Sequence, residues 1–181
     1  MSEKLRRYTK ALYGFDAVVR RVPADRWSSP SPCPDWTAAD VVKHQVDVHG
    51  MVASMAGATD GDPAFDPADP VPAWFAQRDR VLDALDTEGA LQHEGDSPFG
   101  RMTVDRLIGI LYVDPLTHTW DLAMAAGVDP ALDVELCVRG ADQLERAGDM
   151  IRAPGFYGDA LPYGEDADPV TRFLAVAGRQ Q

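Results

Sequence analysis

Only two cysteines, Cys33 and Cys137, occur in the 181 residues, and they fall far apart and outside any C-x-x-C pattern. That spacing argues against a disulfide framework and points to two separate thiols in a reducing compartment. Positive charge is also scarce, with 17 Lys and Arg against 29 Asp and Glu, for a net charge of −12. Phosphate backbones and anionic lipid surfaces both need a basic face, so neither nucleic acid nor a membrane is expected as the main partner. The small basic group Lys4, Arg6, Arg7 and Lys10 reads as a solvated helix face. No apolar run approaches the roughly 20 residues of a membrane span. The charged start MSEKLRRYTK is followed by no apolar signal core, so a cytoplasmic protein is expected. Repeats and low-complexity tracts are absent, as are strand-forming alternations. What remains is ordinary for a globular chain, 45% hydrophobic and 25% charged, with a length that suits a single domain over 1–181.

Helical periods dominate that length. Leu5, Tyr8, Leu12, Phe15, Val18, Val19 and Val22 recur every three or four residues, which predicts a first helix over 3–22 with one buried face. Pro23 closes it, and the prolines of SSPSPCP at 28–34 forbid regular helix there. A second helix is expected from 36 to 55, with Thr37 and Asp40 spaced as a capping box. The Asp-, Pro- and Gly-rich stretch 58–72 reads as a long exposed loop, and a third helix follows over 71–85. Residues 86–102 read as irregular, with room for a short extended piece. A fourth helix over 103–126 should stop at Gly127, a fifth should cover 132–147, and a last short one 168–177 after a loop at 153–164. The class is all-α, a bundle with long crossover connections.

Two stripes carry potential chemistry. On the second helix Thr37, Val41, His44, Val48, Val52 and Met55 follow at helical steps, which turns His44 toward the core. On the fourth, Leu107, Leu111, Asp114, His118 and Leu122 do the same, placing an acid and an imidazole one turn apart on a buried face. Singly, His44 could be a hydrogen-bonded core histidine, and Asp114 with His118 a simple helical pair. Jointly, two imidazoles and a carboxylate drawn inward from two helices match the three-ligand pattern of open zinc sites. A buried carboxylate also needs a partner or a metal. Pro115, directly after Asp114, removes one backbone hydrogen bond and predicts a kinked but continuous helix. His49 lies about 140° round from His44 and is expected to face elsewhere. His93 reads as exposed in a polar loop, and Cys33 as a packed thiol with no obvious base beside it. Asp121 either orients an imidazole or bonds to backbone, and the sequence leaves that open.

Four segments resemble a known family. PCPDWTAADVVKHQV at 32–46 looks like the P-C-x-x-W-T-x-x-D-x-x-x-H opening of the second helix in DinB-like proteins of the actinobacterial, mycothiol-dependent maleylpyruvate isomerase N-terminal type. DPLTHTWDLAMAAGVD at 114–129 resembles that group's acid-x-x-x-H-x-W-D-L-A signature. SPFGRMTVDRL at 97–107 and DPVTRFLAVAGR at 168–179 are similar to its P-F-G-x-M and closing segments. The resemblance implies a DinB-like four-helix bundle of up-down-down-up connectivity, with additional C-terminal helices. It also implies a divalent metal on His44, Asp114 and His118, with zinc favoured and nickel as the alternative. The isomerase itself has Glu at the acid position and a further domain after its bundle, so action on maleylpyruvate is not expected here.

The leading expectation is a metal-dependent S-transferase or isomerase that activates mycothiol or a similar low-molecular-weight thiol, acting on a small-molecule substrate. No catalytic residue beyond the metal ligands is singled out. The alternatives are a hydrolase, lyase or tailoring enzyme using metal-activated water or Lewis-acid chemistry, and a non-catalytic metal-binding or stress-response module. A fourth protein ligand such as His93 or Asp47 would favour the last. A homodimer is left open. The loops 58–72, 91–102 and 153–164 are expected to shape the substrate pocket.

Overall fold

The computed structural model describes residues 1–152 and 156–180. Of the loop expected at 153–164, residues 153–155 lie outside the described residues. The backbone groups into two compact units, Met1–Pro130 and Ala131–Gln181.

The first unit is the bundle. Helix α1 is Glu3–Val19, capped by the Ser2 hydroxyl, and it buries Tyr8, Leu12, Phe15, Val18 and Val19. It ends three residues before the expected stop, because the chain tightens into turns ahead of Pro23. Helix α2 is Ala38–Ala56. Its capping box is formed as the Thr37 and Asp40 spacing predicts, and Gly57 closes it at φ 108°. Helix α3 is Val71–Asp86, with Pro at its second position, where the missing N–H costs nothing. Helices α4, Val104–Leu111, and α5, Val113–Ala126, meet at Tyr112, which keeps right-handed helical dihedrals. Pro115 offers no N–H to the Leu111 carbonyl, so the ladder loosens one turn before it while the rod continues. The sequence predicts one continuous kinked helix over 103–126; the structure instead divides that span into two helices at Tyr112.

Side-chain pairs fix the directions of the rods. Lys4 at the start of α1 meets Asp105 at the start of α4, so these run parallel. Asp16 near the end of α1 accepts from Trp74 at the start of α3, so those two are antiparallel. Ser54 and Arg80 place the late turns of α2 and α3 side by side, so α2 and α3 are parallel. The order is therefore up-down-down-up. Two parallel neighbours need a long return, and residues 57–70 supply it. Arg80 ties this return down through Asp60 and Asp62 at 3.0 and 2.9 Å. It lies so close on α2 that a Cβ at Gly50 would fall 2.5 Å from Asp62 Oδ1. Between α3 and α4 the irregular stretch holds one small antiparallel pair, β1 (Glu94–Gly95) with β2 (Met102–Thr103).

The second unit holds α6 (Val134–Ala147), the short α7 (Asp149–Arg152) and α8 (Pro169–Val176). Asp133 and Asp168 cap α6 and α8 through their carboxylates. Within this unit α6 packs on α8, and Arg172 bridges to Asp142 and Glu145 at 2.7 and 2.6 Å. The Cys137 thiol is buried here, and desolvation, with Asp133 and Asp168 nearby, pushes its pKa up to about 12. Cys33 and Cys137 are both thiols, outside any disulfide.

Candidate metal centre

The kinked α4–α5 rod and α2 present the side chains that matter. Asp114 stands in the first turn of α5, one turn before His118, and both project toward α2. From α2, His44 Nε2 lies 3.3 Å from Asp114 Oδ1. On the other side of the carboxylate, His118 Nε2 lies 3.7 Å from the same oxygen. The two imidazole centroids are 4.8 Å apart, near perpendicular. One donor atom from each of the three residues falls within 4.8 Å of the other two. Ligands held about 2.1 Å from a tetrahedral ion are themselves about 3.4 Å apart, so the observed spacings suit a divalent ion.

The tautomer of His118 strengthens this fit. Its Nδ1 lies 2.9 Å from Asp121 Oδ2, and a carboxylate only accepts, so Nδ1 carries the proton. Unprotonated at Nε2, His118 turns a lone pair toward the Asp114 oxygen; protonated there, it turns a positive charge toward it. Two electron-rich atoms in that position call for a shared cation, whether a proton or a metal. An imidazole oriented by a carboxylate on its far nitrogen is a common arrangement of metal-binding histidines. Asp121, left open between two roles in the sequence, therefore orients His118.

Electrostatics follow the same logic. Burial opposes ionisation of Asp114, but the charge of His118 and the hydrogen bonds from His44 and Gln45 hold it well below the usual carboxylate range. Burial likewise opposes the charged form of His44, yet Asp114, with Asp47 and Asp121 further off, raises its pKa above the ordinary histidine value. The three side chains form a cation-seeking set.

Several neighbours depart from expectation. The buried face of α2 is centred on Gln45 and His49, while Val48 is only half-buried and His44 sits at the edge of the face. Polar residues occupy the centre because they satisfy one another: His49 Nε2 is 3.0 Å from Gln45 Oε1, and Gln45 donates to Asp114 Oδ2 at 2.6 Å. His49 is thus fully buried in the core instead of facing elsewhere, although it does not join the ligand trio. Cys33 is packed, as expected, but it does have acid and base beside it. Its thiol donates to Asp121 Oδ2 at 3.3 Å and lies 3.9 Å from His118 Nδ1. No apolar period runs through SSPSPCP, which is why the sequence hid this contact. Asp35, in the left-handed region at φ 64°, and the pairing of Pro30 with Thr37 fold that segment back. The fold-back also lays the Trp36 indole 5.9 Å from His118, nearly stacked, and 5.1 Å from His44. His93 is exposed, and Asp47 is exposed and paired with Lys43 at 2.5 Å. Neither stands as a fourth ligand.

A DinB-like helical bundle with two imidazoles and an acid gathered between α2 and α5 defines the class of this protein. Residues 9–123 match the sequence profile of the family described as the mycothiol maleylpyruvate isomerase N-terminal domain, and the chain belongs to that family. It is also similar to the uncharacterized protein Rv0738 of Mycobacterium tuberculosis (strain H37Rv), 31% identical over 179 residues that span 98% of each chain. A shorter likeness, 50% identical over 30 residues, joins 17% of this chain to 12% of the uncharacterized protein Rv0036c of the same strain. No solved structure matches the chain. Among the described residues, no helix is long and apolar enough to cross a membrane.

Proposed function

We propose that this protein is a metal-dependent enzyme that uses mycothiol or a similar small thiol to modify an electrophilic small molecule, as an S-transferase or isomerase. The observation that carries the reading is the convergence of His44, Asp114 and His118 at 3.3 and 3.7 Å, with His118 already oriented by Asp121. Membership of a family described by a mycothiol-dependent isomerase supports the choice of thiol. A divalent ion bound there, zinc by preference, would acidify a coordinating thiol and so provide a thiolate at neutral pH.

The chain's own residues do the rest. His44 and His118 supply neutral nitrogen donors, and Asp114 contributes one negative charge between them. Asp121 holds the proton on His118 Nδ1 and leaves Nε2 to bind. Trp36 walls one side of the two rings, excluding water and giving an apolar surface against which a substrate can lie. With three protein ligands and neither His93 nor Asp47 beside them, the set resembles open sites that admit a reactant and not closed structural ones. A cytoplasmic location suits this chemistry, since a thiol cosubstrate and two cysteines outside any disulfide both fit a reducing compartment.

The test is adduct formation. Zinc-loaded protein incubated with mycothiol and an unsaturated carbonyl compound should form the thioether faster than the His44→Ala variant, as read by mass spectrometry. Equal rates for the two proteins would end the proposal.

A further inference from the structure

Behind the ligand trio a line of fully buried polar groups runs from α2 to α1. Gln45, His49 and Tyr8 are each 0% exposed. Their contacts are Asp114 Oδ2 to Gln45 Nε2 at 2.6 Å, Gln45 Oε1 to His49 Nε2 at 3.0 Å, and His49 Nδ1 to Tyr8 Oη at 2.6 Å.

The donor inventory of each group leaves only one direction for this line. An ionised carboxylate only accepts, so the Gln45 amide turns its NH2 toward Asp114. That leaves Gln45 Oε1 facing His49, and an oxygen there must receive a proton from Nε2. A neutral imidazole with its proton on Nε2 has a lone pair on Nδ1, so Tyr8 must donate its hydroxyl hydrogen. Every polar atom along the line is then used once, with none left over. The surroundings agree with each assignment. Burial, opposed by Asp114 but aided by His44 and His118, brings the His49 pKa down to about 4, so its ring is neutral at pH 7. Burial, with the Asp114 charge, holds the Tyr8 hydroxyl well above its usual pKa, so it keeps its proton. Trp74 and Tyr8 both meet the His49 ring edge-on, at 5.8 and 5.4 Å, and fix its plane.

We infer that Tyr8, His49 and Gln45 form a one-way hydrogen-bond chain that fixes the Asp114 carboxylate in place, with Gln45 as the positioning residue for metal binding. Engaging Oδ2 from behind leaves Oδ1 as the oxygen presented to His44 and His118. Without that anchor the carboxylate could rotate about its terminal bond, and the pair of oxygens would lose its distinction. The shortness of Asp makes this matter more, since its carboxyl reaches less far than a Glu side chain. The inference rests on the reading that Asp114 binds a metal.

Two measurements test it. The first is the tautomer of His49 in the full-length wild-type protein, read from nitrogen-15 chemical shifts with and without zinc. The chain requires a proton on Nε2 in both conditions. A proton on Nδ1 would reverse the line and overturn the proposal, whatever the metal result. The second is zinc affinity, by competition with a chromophoric chelator, for wild type, Gln45→Leu and Tyr8→Phe. Loss of an orienting partner should weaken Gln45→Leu by about 10- to 100-fold, and Tyr8→Phe, two links away, by less. Wild-type affinity in both variants would overturn the positioning role while leaving the metal site standing. If wild type itself bound no zinc, the metal reading would fall and the positioning role with it, while the tautomer would still report on the chain. If Gln45→Leu does not fold, the His49 tautomer and Tyr8→Phe decide the matter: an Nδ1 proton, or full affinity in Tyr8→Phe with His49 on Nε2, would each overturn it.

Discussion

Three carboxylates are drawn into the bundle, Asp16 on α1 and Asp114 and Asp121 on α5, and the company of Asp16 differs from that of Asp114. Asp16 accepts from the Trp74 indole at 2.5 Å and from the Arg78 guanidinium, with Arg20 at 3.8 Å. Arginine is permanently charged and indole only donates, so Asp16 is neutralised from within the chain. Asp114 faces two imidazoles, whose lone pairs are free to bind whenever they are unprotonated. The same acid thus makes a closed structural knot at one place and an open acceptor for an external cation at the other. The partner, and not burial of the acid, decides which.

The comparison can be broken experimentally. Asp16→Ala should cost about 1–3 kcal/mol in urea unfolding, because the buried Trp74 indole N–H loses its acceptor while Arg78 keeps Asp79, and zinc affinity should stay as in wild type. Asp114→Ala should do the reverse, lowering zinc affinity by at least about 100-fold, since a ligand matters more than its outer partners, with a smaller stability loss. If Asp16→Ala lost zinc to the same extent, the contrast between the two acids would be false.

A pH titration sharpens it further. Both imidazoles must be unprotonated to bind, and the raised pKa of His44 means that protons compete for it from above the usual histidine range. Zinc affinity should therefore fall as pH is lowered through that range, by about tenfold per pH unit for each imidazole that must shed a proton. An affinity flat from pH 8 to pH 5 would contradict the assignment of imidazole ligands.

The smallest expected effect concerns a third buried polar group. Gln77 on α3 is 0% exposed, and among the described residues its amide oxygen and nitrogen have no hydrogen-bond partner. Gln45 and Gln77 are both buried amides, one satisfied and one not. Gln77→Met, similar in length, should stabilise the fold by about 1 kcal/mol in thermal or urea unfolding, because the desolvation penalty of an unpaired amide disappears. Gln45→Met should destabilise it. Equal effects would mean that hydrogen bonding does not distinguish them.

Much of this was legible in the residues. Thr37 and Asp40 announce the start of α2, and Pro115 marks the break between α4 and α5. The acid-x-x-x-His spacing and the His at the second helix identify the trio before any coordinates. The sequence misleads where polar residues satisfy one another inside the core. His49 is expected to face elsewhere because it falls about 140° round from the stripe drawn through His44, and Gln45 lies on no stripe that the apolar period picks out. Val48 then pulls the inferred stripe away from the true centre of the buried face. The Cys33–Asp121 contact and the Trp36 wall depend on how a proline-rich loop folds back, and no helical or strand period runs through such a loop. Strands of two residues, like β1 and β2, are too short to carry any alternation.

The most direct test of the account is metal analysis of untagged protein by elemental mass spectrometry, alongside His44→Ala, Asp114→Ala and His118→Ala. A single zinc or nickel ion per wild-type chain, lost in all three variants while their helical content persists, is the predicted result. Folded wild-type protein that takes up no divalent metal even when supplied in excess, or variants that keep it, would contradict the central claim.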